Sequence, residues 1–284
     1  MMIRPLLALP AVVLLAACSV GGAASGSPSI AASPTSTPQP SSSAGPPAVE
    51  LAIFGAASLR GALHAVKPVY EAARPGVTLI IATDSSAALA TQIEQGAPAD
   101  VFLSADTTNA RRLVAGGFAA GDATVFAANA LAVIVPAGNP AGLTTPADLA
   151  RPGIKVIAAG DEVPITKYAA QLAANLARMP GYPPGFEAAY AANVVSREDN
   201  VRAVAAKIEL GEGDAGIVYV TDAAASGKVG TLPVPDEGNV LAAYAGVIVG
   251  ASDHVEAARA FLDWMIGSDG QAILASFGFR PPAP

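Results

Sequence analysis

The sequence predicts an α/β fold of helices layered on mostly parallel sheets. Three observations predict it. Short β-rich runs alternate with amphipathic runs from Glu50 onward. Polar residues suited to capping helices stand between many of these runs. The chain has 284 residues, 52% of them apolar and 14% charged, enough to bury the core of one large domain or two modest ones.

Met1 to Cys18 opens with a short positive region at Arg4 and continues as an apolar stretch from Leu6 to Leu15. A permanent membrane helix needs about 20 apolar residues, so the segment reads as a secretory signal peptide. It ends in Leu15-Ala16-Ala17-Cys18, which resembles a bacterial lipobox. Cys18 is the only cysteine and stands where that motif needs it, so it is expected to be lipidated and to become the new N-terminus. Residues 19–48 are Ser, Pro, Ala, Gly and Thr with no charge and almost no large apolar side chain. Such a segment buries too little surface to offset its ordering entropy and reads as a tether. The folded part is therefore expected to work lipid-anchored at the outer face of the bacterial cytoplasmic membrane.

Strands are expected at Leu51–Phe54, Val77–Ile81, Val101–Ser104, Ala130–Val135, Val156–Ala159, Gly216–Val220 and Ala243–Val249. Helices are expected to begin near Ser58, Ser86, Thr107, Pro146, Pro164 and Asn200, followed by one over His254–Ile266 and a last over Gly270–Ser276. In the former, Val255, Ala258, Phe261, Leu262 and Met265 recur at helical spacing as a packing face. Asp161 to Thr166 and Asn193 to Asn200 read as polar turns leading into helices. Gly211-Glu-Gly-Asp-Ala-Gly216 satisfies a dinucleotide pattern on paper, but it closes a helix and precedes a strand. That order is the reverse of what the fingerprint requires, so the segment reads as a C-cap and turn.

Net charge is −7, and removal of Arg4 with the leader leaves the mature chain more acidic still. This argues against nucleic acid and against a polybasic membrane patch. An anionic ligand would have to be held by local geometry. The only two histidines, His64 and His254, fall inside predicted helices and read as surface residues. There is no G-x-S-x-G elbow and no cluster of metal-ligating types, so a secreted hydrolase or a metal site finds little support. Asp100 and Asp106 flank a strand, and their expected roles are helix capping and loop hydrogen bonding.

The chemistry lies in what begins the helices. Ser58 and either Ser85 or Ser86 are expected at N-caps, Pro164 in the first turn of a third helix, and Asn200 as an Asx cap of a fourth. Each start leaves backbone amides unpaired and carries about half a positive charge from the macrodipole. Several aimed at one spot would hold an anion without lysine or arginine. Sequence spacing alone does not bring them together, and this reading stops at a secreted, tethered α/β protein with candidate anion-binding helix starts.

The segments Phe54-Gly-Ala-Ala-Ser58-Leu, Leu89-Ala-Thr-Gln-Ile-Glu-Gln-Gly-Ala-Pro-Ala-Asp100, Val101-Phe-Leu-Ser-Ala-Asp106, Val163-Pro-Ile, Glu198-Asp-Asn-Val-Arg202, Gly216-Ile-Val-Tyr219 and Phe277-Gly-Phe279 occur in this order. Together they make the chain from about Leu51 to Phe279 resemble the periplasmic molybdate-binding proteins of ABC transporters. The resemblance implies a two-lobe periplasmic-binding-protein fold of type II with a two-stranded hinge. Lobe one would be 49–132 plus 240–284, and lobe two 133–239. It also implies an oxyanion, molybdate or tungstate, bound in the cleft by the hydroxyls of Ser58, Ser86 and Tyr219 and the amides near Ile165 and Val201. These would be contacts to the oxygens of the ion rather than ligands to the metal, and no cofactor is implied. The implied partner is a membrane permease, with the binding protein a monomer. Sulfate or another small oxyanion is the alternative ligand.

Three positions depart from the family's pattern. Gly55 replaces a common alanine, which would loosen its loop. Ile165-Thr166 stands where a small pair is common, and Asn200 is an insertion-like feature before Val201.

Overall fold

The computed structural model describes residues 48–282. The leader, Cys18 and all but the end of the proposed tether lie outside them. In chain order the strands are β1 (Val49–Ala56), β2 (Val77–Asp84), β3 (Val101–Ser104), β4 (Thr124–Pro136), β5 (Val156–Ala159), β6 (Val194–Glu198), β7 (Ala215–Tyr219), β8 (Val229–Leu232) and β9 (Leu241–Ile248). The helices are α1 (Arg60–Ala73), α2 (Ser86–Glu94), α3 (Thr107–Ala115), α4 (Pro164–Leu176), α5 (Phe186–Ala192), α6 (Val201–Glu209), α7 (Val220–Ala225), α8 (Val255–Ile266) and α9 (Ser268–Ser276).

The strands join in the order β2-β1-β3-β9-β4-β7-β5-β6, with β8 on β4. Residues 124–130 of β4 pair with β9, whereas residues 131–136 pair with β7 and β8. One strand thus passes from the half of the sheet that holds β2, β1, β3 and β9, here lobe one, to the half that holds β7, β5, β6 and β8, here lobe two. The chain returns beside it at Asn239, whose side chain accepts from Leu131 N at 3.1 Å and donates to Leu131 O at 3.0 Å. These two adjacent segments stand where the two-stranded hinge is expected.

The expectation of mostly parallel sheets needs correcting. The pairs β1–β2, β1–β3, β5–β6 and β5–β7 are parallel, but every pair that includes β4 or β9 is antiparallel. The crossing strands run against the βαβ units because the chain leaves one lobe and returns to it through them.

Other differences arise from weak local signals. β6 alternates half-buried and exposed residues at a sheet edge, so its polar content read as a turn. β8 is a four-residue edge strand containing Gly230 and Thr231. α5 and α7 are short, and Val220, read as the end of a strand, opens α7 because β propensity yields to context. Pro146–Ala150 is a 3₁₀ turn. His64 is exposed, while His254 is half-buried and immediately precedes α8.

Lobe one packs α1 and α8 together on its sheet. Tyr70 meets Phe261 edge-to-face at 5.0 Å and Trp264 at 5.3 Å, contacts worth about 0.5–1.5 kcal/mol each beyond area burial. In α8, Ala258, Phe261, Leu262 and Met265 are buried, as the helical spacing predicts. Lobe two buries all of β7, with α4 and α6 packed against it. Gly216 lets α6 approach: a Cβ there would lie 2.9 Å from Val204 and 3.1 Å from Ile157 O.

Candidate functional site

Ser58, Ser86, Ile165, Val201 and Tyr219 are all buried and line one small cavity, together with Ser85, Ala57 and Asn200. The cavity offers only about 10 Å³ to the centre of a water molecule. Ser58, Ser85 and Ser86 come from lobe one. Ile165, Val201 and Tyr219 come from lobe two. No lysine, arginine, aspartate or glutamate lines it. Arg60 is exposed and Arg202 is half-buried, and neither reaches the lining.

The two helix starts of lobe two each leave a particular amide over. Pro164 is the first residue of α4 and has no N–H, while Thr166 N donates to Val163 O at 3.0 Å. That leaves Ile165 N, in the second position, without an assigned acceptor among the described residues. At α6, Asn200 Oδ1 accepts from Arg202 N and Ala203 N, both at 3.1 Å. That leaves Val201 N. Both spare amides belong to residues lining the cavity, at the positive ends of helix dipoles.

The hydroxyls are also set up to donate. Ser86 Oγ accepts from Ala105 N at 3.0 Å, so its own hydrogen is free. Ser58 Oγ shares a 2.8 Å hydrogen bond with Tyr244 Oη, and Tyr244 Oη in turn receives a long contact of 3.4 Å from Asn129 Nδ2. If Asn129 donates to Tyr244 and Tyr244 to Ser58, the Ser58 hydrogen points onward. The Tyr219 phenol and Ser85 Oγ are buried without a partner among the described residues. Burial, reinforced by Tyr244, Tyr168, Asp222 and Asp106, pushes the Tyr219 phenol well above its usual range, so it stays a neutral donor.

Two capping expectations need correcting. Ser58 lies inside the 3₁₀ turn Ala57–Leu59, and the residue preceding α1 is Leu59. Ser85 holds the cap position of α2 and Ser86 its first turn, but neither side chain makes a capping bond. The serine hydroxyls serve tertiary contacts or face the cavity. Asn200 does cap α6, Asp106 caps α3 by accepting from Asn109 N at 2.8 Å, and Asp100 accepts from Ala52 N at 2.7 Å. Gly55 lies in β1 rather than in a loop, paired with Thr83 and Leu103, and a Cβ there would come within 2.4 Å of the buried Leu63 Cδ1. Thr166 anchors its turn by donating to Ala159 O at 3.0 Å and Gly160 O at 2.8 Å.

Sequence reasoning missed Tyr244, Asn129 and Asp222. Asp222 is 3% exposed, and among the described residues neither carboxylate oxygen has a well-formed hydrogen bond, although the Tyr219 amide is near enough to pull on the carboxylate. Burial pushes its pKa up to about 7, against the pull of Arg202 and the nearby Tyr219 amide. No local motif marks these residues, which lie on β9, β4 and α7. A larger cavity of about 220 Å³ lies behind Ile165, but its lining is mainly alanine and other apolar side chains and brings together no comparable set of donors. Among the described residues, no group of three or more His, Cys, Asp or Glu could hold a metal ion, and no helix is long and apolar enough to cross a membrane.

A family model described as bacterial extracellular solute-binding protein matches residues 51–280. The chain is 35% identical to the molybdate-binding protein ModA of Mycobacterium tuberculosis over 245 residues, covering 85% of this chain and 89% of that protein. Among solved structures, the sulfate-binding protein SubI of the same organism aligns with a TM-score of 0.74 and 26% identity, over 83% of this chain and 88% of that one. The periplasmic molybdate-binding protein of Azotobacter vinelandii shares the fold, with a TM-score of 0.69 and 23% identity over 82% of this chain and all of that one.

Proposed function

The chain belongs to the bacterial extracellular solute-binding proteins, and from that premise we propose that it binds molybdate, and tungstate with it, and delivers the ion to an ABC permease. The observation that supports the reading is that one uncharged cavity is lined by Ile165 and Val201, whose amides are spare, together with Ser58, Ser86 and Tyr219. A hydrogen bond to a charged oxygen is worth about 1.5–3 kcal/mol. Several such neutral donors hold a dianion without the desolvation cost of a buried ion pair. Each lobe supplies part of the shell, so only the closed state completes it, and ligand shifts the population toward closure.

Five roles complete the proposal. Ser58, Ser86 and Tyr219 donate hydroxyls, and Ile165 and Val201 donate amides. The ion is cargo, no cofactor takes part, and the protein works as a monomer without catalysis. Cys18 carries the lipid that holds it at the outer face of the cytoplasmic membrane. The residue types at positions 1–18 support this anchoring.

The likeness to a sulfate-binding protein favours sulfate as the second reading. Calorimetry of the purified protein against molybdate, tungstate, sulfate and phosphate separates the two. The expected outcome is tight binding of molybdate and tungstate and weak binding of sulfate. Comparable affinity for sulfate overturns the ligand assignment and leaves the fold intact.

A further inference from the structure

Asp84 ends β2 in lobe one and Asn200 caps α6 in lobe two, and their side chains meet across the cleft. Asn200 Nδ2 donates to Asp84 Oδ1 at 3.0 Å in a part-buried setting. Each side chain is also fixed from its own lobe. Asn200 Oδ1 is held by two amides of α6, and Asp84 Oδ1 accepts from Ser85 N at 2.7 Å. Two groups held this rigidly can bond only when the lobes stand at one separation. The residues that follow them, Ser85 and Ser86 on one side and Val201 on the other, line the anion cavity. Asp84 also shares a depression with Glu162 and Asp199 of lobe two, and the one cation lining it, Arg112, is already paired with Glu94 at 2.8 Å. Like charges facing one another across a closing cleft oppose closure, and the neutral amide of Asn200 gives the Asp84 carboxylate a donor instead.

We propose that the Asp84–Asn200 hydrogen bond is the latch of the closed state and sets the rate at which the anion leaves. Asp84 and Asn200 act as positioning residues that join the two halves of the shell without being needed as donors to the ion. Asn200 also resolves its own place in the sequence. It is the cap that leaves Val201 N free and the arm that ties that amide to lobe one.

The latch rests on the molybdate reading for its effect on release but not for its effect on the lobes, so two measurements are made. Molybdate dissociation is followed by stopped-flow protein fluorescence, and hydrogen exchange is followed over residues 84–90 and 199–204 of ligand-free protein. Asn200→Ser keeps a capping hydroxyl, adds no charge and is too short to reach Asp84. It is expected to speed release about tenfold, equivalent to about 1.4 kcal/mol, and to speed exchange in both segments. Asn200→Asp keeps the cap and sets two carboxylates face to face, with the same expected direction. Combining it with Asp84→Asn reverses donor and acceptor, and the pair is expected to return both readouts to within about threefold of wild type. Wild-type release and exchange in Asn200→Ser, or a double variant no better than Asn200→Asp, overturns the latch. If wild type binds no molybdate, the ligand reading falls, and the exchange measurement alone decides the latch by the same outcomes.

Discussion

Ser58 Oγ and Tyr244 Oη share a buried hydrogen bond of 2.8 Å although 186 residues separate them in sequence. The bond joins the loop after β1 to β9, and so fixes a lobe-one donor against a strand leading to the hinge. Tyr244 is itself held between Phe126, Tyr219 and Phe279, with ring centroids 6.2, 5.6 and 5.3 Å away. Ser58 therefore reaches the cavity from a prepositioned frame.

That frame predicts two separable effects. Ser58→Ala removes a donor to the anion and is expected to weaken molybdate binding about tenfold or more. It removes no helix cap, so any loss of stability without ligand should be limited to the Tyr244 bond, about 1 kcal/mol. Tyr244→Phe keeps the Ser58 hydroxyl but frees it to rotate, and is expected to cost about threefold to tenfold in affinity. Calorimetry with paired melting curves checks both. Equal affinity for wild type and Ser58→Ala would remove Ser58 from the donor set.

Tyr219→Phe is the cleanest test of neutral donors. The phenol is buried and unpartnered without ligand, so its removal relieves a desolvation cost of about 1–3 kcal/mol. The expected outcome is an unchanged or raised melting temperature without ligand and about tenfold weaker molybdate binding. Arg60→Gln and Arg202→Gln should each weaken binding less, because neither side chain lines the cavity. An arginine variant that abolishes binding beside a neutral Tyr219→Phe would sink the mechanism.

How much of this was legible from sequence follows from where each signal resides. Pro164 and Asn200 are local signals, since a missing N–H and an Asx side chain act within one turn, and both sit at the helix starts they announce. Ser58 and Ser86 are legible as cavity residues through the family pattern, but Ser58 is not a cap and Ser85 rather than Ser86 holds the cap position of α2, because a serine before an apolar run looks the same whether its hydroxyl turns to an amide or to a distant tyrosine. Tyr244, Asn129 and Asp222 carry no local mark, since they lie on three separate elements, β9, β4 and α7. The antiparallel strands were missed for a related reason: pairing direction depends on where the chain crosses between lobes. Gly55 shows the limit of comparing residue types alone. A missing methyl suggests slack, yet here the space belongs to Leu63.

Cys18 offers a test that does not depend on the cleft. Replacing it with serine is expected to leave the protein unlipidated and to move it from the membrane fraction to the soluble one. Fractionation of cells that express wild type and variant checks this. Retention of Cys18→Ser with membranes would overturn the lipobox reading while leaving the oxyanion site untouched.

The last prediction concerns pH. Asp222 has its pKa raised from 3.8 to about 7 by burial. Between those values the folded chain holds a proton that the unfolded chain has released. Since stability rises with pH only where the unfolded state binds more protons, here it must fall as pH rises. The contribution is fully present below about pH 4, is lost through about pH 7, and is level above that. From pH 5 to pH 7 the loss spans about two units, or roughly 2.7 kcal/mol at about 1.36 kcal/mol per unit. Asp222→Asn keeps the shape, removes the charge and abolishes this slope. Urea unfolding at pH 5 and pH 8 should therefore show the variant gaining about 2–3 kcal/mol on wild type between the two. The gain appears at pH 8 because wild type must then either bury a carboxylate whose desolvation Arg202 and the Tyr219 amide only partly offset, or open the fold to hydrate it. Parallel pH dependence in the two proteins would mean that the carboxylate finds a partner on folding, and the account of Asp222 as an orphaned acid would be wrong.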